Sequence, residues 1–323
     1  MLHRTIALSV GALVVLAGAA CSSSNPECHV GADCASGACD SSGQCVPVTS
    51  SGSEAGGGGF EAAVEAAVDA GVEASPGDDA SSGCVPDDSG VITRAEVPML
   101  AGVHGTFAIT TATVTMDTAG TAQPDGTTDW DFSAALAGDQ TVIITTNAPQ
   151  GQWFSSQFTS ATYTSTLSET QSLLGVYQAT AASLLLQGVV TPTNGSGEYD
   201  LSYSPSAEIL ALPMQMGTTW TSTSTVTGTA DGIPDSTYTE KYASVVDAHG
   251  TLKVPYGSFQ VLRVQTTLTR TIALTDIETT QTMTFIAPCF GPVARLTSKT
   301  TTYPEPVPGN AFTSVVEAWR LSP

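Results

Sequence analysis

In this chain of 323 residues, nine Lys and Arg face 30 Asp and Glu, a formal charge of −21. A balance this negative excludes nucleic acid as a partner, because no basic surface exists to release phosphate counterions, and it disfavours contact between the polypeptide and anionic lipid. Charged side chains are 12% of the chain, about half the usual share, and Thr and Ser fill the polar positions, as on strand surfaces more than helix surfaces.

The first twenty residues have the three parts of an export signal: a short start with His3 and Arg4, an apolar run from Ile6 to Leu16, and the small residues Ala17 to Ala20. The run is too short to span a bilayer comfortably. Small residues directly before Cys21, with Ser22, Ser23 and Ser24 after it, resemble a bacterial lipoprotein signal, although Gly18 stands where that family prefers Leu. The resemblance implies that residues 1–20 are removed and that Cys21 is acylated on its sulfur and its freed amine. The membrane is then a partner through lipid alone, at about 0.8 kcal/mol per buried methylene. It also implies a bacterial cell envelope address, with a serine after the cysteine compatible with the outer membrane. An ordinary cleaved signal peptide is the alternative.

Seven cysteines less Cys21 leave six, an even number that in an exported chain reads as disulfides. Cys28, Cys34, Cys39 and Cys45 lie in CHVGADCASGACDSSGQC, where Gly, Ser and Asp offer almost no apolar material, so cross-links must hold what a core cannot. Four cysteines admit three pairings, and the spacing does not choose among them. Zinc is the rival for this module, residues 21–45, with His29 nearby, but the paired C-x2-C knuckles of common structural zinc sites are absent. The C-x5-C-x4-C-x5-C pattern resembles short repeats that follow the anchor in myxobacterial-type secreted lipoproteins. Cys84 and Cys289 remain as a pair by elimination, with two separate buried thiols as the alternative.

Residues 46–83 turn to Gly, Ser, Ala and acid, with no Lys or Arg and Phe60 as the only aromatic, so they are expected to be a disordered acidic linker. Within them EAAVEAAVDAGVEA aligns Val64, Val68 and Val72 on one helical stripe, but acids four residues apart repel and Gly71 interrupts. The linker reads as a spacer between membrane and domain.

Residues 84–323 read as one all-β unit, or two with a seam near 204–213. Alternating or β-branched segments recur: TFAITTATVTM, TDWDF, QTVIITT, LLGVYQA, ASLLLQGVV, TWTSTSTVTG, TYTEKYASVV, FQVLRVQTTLTR, TMTFIA, VARLTSKTT and FTSVVEAWRL. Asn194-Gly195, Pro124-Asp125-Gly126, Gly232-Ile233-Pro234 and Pro255-Tyr256-Gly257 break them. Only Ser168 to Leu174 hints at a helical period. Many short strands mean a β-sandwich or a curved half-barrel. A transmembrane barrel is disfavoured, since Thr110, Thr111, Thr113 and Thr115 stand where a lipid-facing strand would alternate apolar side chains. LPMQMGTTW, then YASVVDAHGTLKVPYGSFQVLRVQTTLTR, then FIAPCFGPVARLTS resembles uncharacterised bacterial envelope domains similar to the half-barrels with which lipoprotein carriers hold acyl chains. That resemblance implies a fold more than a role.

Catalytic motifs are missing: no H-E-x-x-H, G-x-S-x-G, S-x-x-K or phosphate-cradling glycine loop occurs. His104 and His249 stand apart, and a triad built on His249 would have to be assembled from distant residues. Asp129 and Asp131 flank Trp130 and share a strand face; with Asp125 they form a weak calcium candidate, a solvated face being the plainer reading. Trp153, Trp220 and Trp319, with Tyr163, Tyr203 and Tyr256, read as core fillers more than as a sugar platform. Arg263, Arg270, Arg295 and Arg320 lie in apolar-flanked strands, where each is expected to pair with a carboxylate.

The expectation is therefore a lipid-anchored envelope protein, not an enzyme, with no cofactor and no resident metal. Its β domain binds an apolar small molecule or a protein partner, or is structural. A carbohydrate-binding or adhesive surface module is the first alternative, and a hydrolase with a dispersed site the second. The sequence sets no oligomeric state.

Overall fold

The computed structural model describes residues 84–86, 89–168, 172–195, 197–272, 277–303, 305 and 311–323. The leader, Cys21, the cluster Cys28, Cys34, Cys39 and Cys45, and the linker lie outside the described residues. What is described is built from strands, with one 3-10 turn at Arg94–Glu96.

In chain order the strands are β1 (Val91–Ile92), β2 (His104–Thr110), β3 (Val114–Thr115), β4 (Thr121–Ala122), β5 (Thr128–Asp131), β6 (Gln140–Thr145), β7 (Tyr163–Ser168), β8 (Leu173–Ala179) and β9 (Ser183–Val190). There follow β10 (Asp200–Ala211), β11 (Met214–Gln215), β12 (Thr219–Ala230), β13 (Ile233–Val254), β14 (Gly257–Thr271), β15 (Ile277–Ala287), β16 (Gly291–Ser298), β17 (Thr301–Thr302) and β18 (Ser314–Leu321). Twelve of them form one continuous wall in the order β6-β2-β18-β16-β15-β14-β13-β12-β10-β9-β8-β7. The two margins meet where Asn147, just past β6, exchanges backbone hydrogen bonds of 2.9 and 2.8 Å with Thr164 of β7. The sheet is thus a nearly closed half-barrel, and the all-β expectation holds. Ser204 to Pro213 run through β10 and the turn after it.

Side chains alternate across this wall, and each face has its own core. The inner core gathers residues from strands far apart in the sheet: Tyr163 and Tyr177 from β7 and β8, Leu201 and Tyr203 from β10, Trp220 and Val226 from β12, and Val264 and Ile286 from β14 and β15. The chain before β2 lies against them through Ile92, Val97 and Met99 and pairs with β11 through β1. On the outside, chain between β3 and β6 covers the second core, with Trp130 and Phe132 packed edge-on against Phe285 at 5.1 and 5.4 Å. A third, smaller core places Phe154 and Phe158 against Val176 and Val190.

β13 is 22 residues long and has two neighbours in succession on one side. Thr219 to Gly228 of β12 pair with Ser236 to Val245, and then a bulge at Asp247 shifts the register and β5 runs parallel along Gly250 to Lys253. Gly250 permits this approach: at φ +150° a Cβ there would lie 2.1 Å from the Thr128 carbonyl oxygen. At the other end, Asp231 and Gly232, both with positive φ, make a two-residue turn closed by Ala230 and Ile233, so Ile233 and Pro234 begin a strand where the sequence reads as a break.

Candidate functional site

In a chain with few cations, the place of each arginine decides which charged groups remain free for chemistry. All four strand arginines are committed. Arg263 grips Asp247 with two bonds of 2.8 and 3.0 Å, donates to the Thr118 carbonyl at 2.8 Å and lies 5.4 Å from the Trp130 ring. Arg295 donates to the Leu167 carbonyl at 3.0 Å, sits 3.5 Å from Glu317 and stacks 3.9 Å from the centre of Trp319. Arg320, fully buried, joins Asp139 at 2.5 Å and donates to the carbonyls of Phe132 and Ala134, which fastens the outer cover to the wall.

The fourth, Arg270, belongs to a dense polar group. Tyr238, Glu240 and Tyr242 alternate on β13 and so share a face, while the register sets Arg270 of β14 opposite Glu240 and Glu278 of β15 opposite Arg270. Glu240 is 1% exposed. Its Oε1 accepts two bonds from Arg270, 3.0 and 2.8 Å, and its Oε2 accepts the hydroxyls of Tyr242 at 2.6 Å and Tyr203 at 2.9 Å. Both oxygens are satisfied, which is what a buried carboxylate requires. Burial and the neighbouring carboxylate push the phenols of Tyr203 and Tyr238 upward, the latter to about 12; burial and the adjacent Tyr203 phenol do the same for Tyr242. The Tyr177 phenol, deep in the inner core, is pushed to about 12 by burial. Sequence reasoning placed Arg270 beside a carboxylate but did not find this network. The available signal was a charged residue at the inward phase of TYTEKY.

The other residues singled out in the sequence fall in separate places. Cys84 and Cys289 are joined, with Cα atoms 5.6 Å apart. Asp125, Asp129 and Asp131 are all exposed and are not brought together as a calcium site. Asp125 caps Thr127, Asp129 accepts the Gln123 amide at 2.7 Å, and Asp131 caps Ser133 and faces Lys253 at 3.7 Å. The hydroxyls of Thr127 and Ser133 hold the carboxyls of Asp125 and Asp131 below the usual range. Among the described residues no three metal-ligating side chains converge. His249 has a half-buried ring whose Nδ1 meets no partner among the described residues, and Asp247, two residues away, is held by Arg263. Trp130, Trp220 and Trp319, with Tyr163 and Tyr203, are buried, and Trp153 and Tyr256 are half-buried, so these rings do not line up toward solvent.

One open place lies on the outer face of β12, β13 and β14. A solvent-open groove of about 490 Å³ there is lined by Thr219, Thr221, Ala243, Val245, Gln265 and Thr267, with Trp220 and Ser244 of the same strands between them. The register explains the set: Thr219, Val245 and Gln265 form one row across the three strands, and Thr221, Ala243 and Thr267 the next. No helix of the described residues is long and apolar enough to cross a membrane. Comparison with protein-family models, with curated proteins and with solved structures finds no match to this chain.

Proposed function

We propose that this chain is a lipid-anchored component of a bacterial envelope, held by acylated Cys21 and an acidic spacer, whose β domain serves by binding or as a structural element and not by catalysis. One observation carries the second half of this reading. The space within the half-barrel is occupied by the protein's own side chains, and the charged groups bordering it, Glu240 with Arg270 and Arg295 with Glu317, are engaged with one another. Charged groups engaged with one another in this way specify a fold and have no free proton or electron pair to lend to a substrate. An acyl chain inside the half-barrel would have to displace Ile92, Val97 and Met99, so a binding role is better placed on the outside.

The anchor is tested by growing the full-length chain in a bacterial host with radiolabelled palmitate. Label on the wild-type chain in the membrane fraction, absent from Cys21→Ser, is the expected result; an unlabelled chain retaining its leader overturns it. Native mass spectrometry tests the domain. A chain free of lipid adducts beyond its anchor is expected, and a stoichiometric fatty ligand would move the function inside the half-barrel.

A further inference from the structure

The groove on the outer face has a feature that sheet surfaces rarely show. Gln265 lines it, is only 4% exposed, and its side-chain amide makes no hydrogen bond with any described residue. On the next strand Gln281, paired with Thr267 and therefore on the same face, is 3% exposed with its Oε1 unpartnered. Buried amides are ordinarily satisfied, so the unmet Oε1 of Gln281, next to a groove-lining amide that no described residue holds, marks a place where the partner comes from elsewhere.

The chemistry of the lining selects the class of partner. No charged side chain lines the groove, which argues against an anion or a cation as ligand. Thr219, Thr221 and Thr267 supply hydroxyls that donate and accept, the Gln265 amide supplies a paired donor and acceptor, and Ala243 with Val245 offers a small apolar floor. Paired donors and acceptors over an apolar floor match vicinal hydroxyls above the C–H face of a sugar ring. An extended peptide is the weaker fit. Peptides of that kind add to a free strand edge through backbone bonds, and here the backbones of β12, β13 and β14 are already paired to one another. We propose that the outer face of β12–β14 is a binding site for a neutral glycan chain, with Gln265 and Gln281 as its orienting amides. This rests on the binding role proposed above but not on the anchor.

The test is affinity electrophoresis of the full-length chain in gels containing dextran, laminarin or hydroxyethylcellulose, three neutral glucans of different linkage. At least one is expected to retard the chain, undiminished by 0.5 M NaCl. Gln265→Leu and Gln281→Leu should weaken that retardation at least tenfold, whereas Thr225→Val, on the same face outside the groove, should leave it unchanged. Should either glutamine variant fold poorly, Thr221→Tyr, which fills the groove from an exposed position, should abolish retardation by itself. Absence of retardation by all three glucans, full retardation of Thr221→Tyr, loss of binding in salt, or displacement of the glucan by a reduced, carboxymethylated polypeptide overturns the proposal. The palmitate result is independent of each of these.

Discussion

Arg320 shows how individual residues hold this molecule together. Its guanidinium is fully buried and ties Asp139 and two carbonyls of the outer cover to β18, so its removal strands a half-buried carboxylate and two carbonyl oxygens. Arg320→Met is expected to cost about 3–5 kcal/mol in urea unfolding, the range for breaking a buried pair from one side. A loss under about 1 kcal/mol would show that the cover does not depend on it. The tyrosines give a pH signature. In the folded chain the phenols of Tyr163, Tyr177, Tyr203, Tyr238 and Tyr242 are raised, chiefly by burial. Above pH 10 the unfolded chain therefore holds fewer protons than the folded one, and stability falls as pH rises through that window. Phenolate absorbance should show these five titrating together with unfolding, not before it. The pairing of all four arginines was legible in the sequence, because scarce cations among abundant carboxylates within apolar strands leave little else. Which carboxylate each would take was not, since Asp139 and Asp247 reach their partners only through the path of the chain in space.

Among the elements, β13 organises the sheet by changing neighbours midway along its length. The bulge at Asp247 shifts the strand's register against β14 just past the end of its pairing with β12, and Gly250 then admits β5 in parallel. Gly250→Ala would set a Cβ against the Thr128 carbonyl at a backbone angle that L side chains avoid, and is expected to lower stability by about 2–4 kcal/mol. Thermal unfolding measures this, and an unchanged midpoint would mean that β5 is dispensable. All eleven segments marked as strands in the sequence lie on strands here, because their alternation follows the two faces of the wall. β7 and β10 escaped notice for physical reasons. β7, YTSTLS, is a short polar strand at a margin, and β10 contains Pro205 and interrupts its pairing with β9 between Ser202 and Ala207. Missing β10 also left Tyr203 a core filler in the sequence, without its hydrogen bond to Glu240, one of the four that carboxylate accepts. The groove was likewise invisible, since it depends on three strands lying in register.

For the whole molecule, the bridge between Cys84 and Cys289 closes a loop with a sequence separation of 205 residues. In the chain-entropy account its removal by Cys84→Ser costs about 5 kcal/mol, readable as a lower denaturation midpoint. Equal midpoints for the oxidised and reduced wild-type chain would contradict this. The position of the bridge has a mechanical consequence. Tension reaching the chain ahead of Cys84 passes through sulfur to the turn between β15 and β16, strands flanked on both sides, and not to β6 or β7 at the seam. The stretch carrying Ile92, Val97 and Met99 is bypassed and bears none of that load. A molecule tugged from its amino-terminal side is therefore gripped at mid-wall, where rupture has to start among interior strands instead of unzipping from a rim.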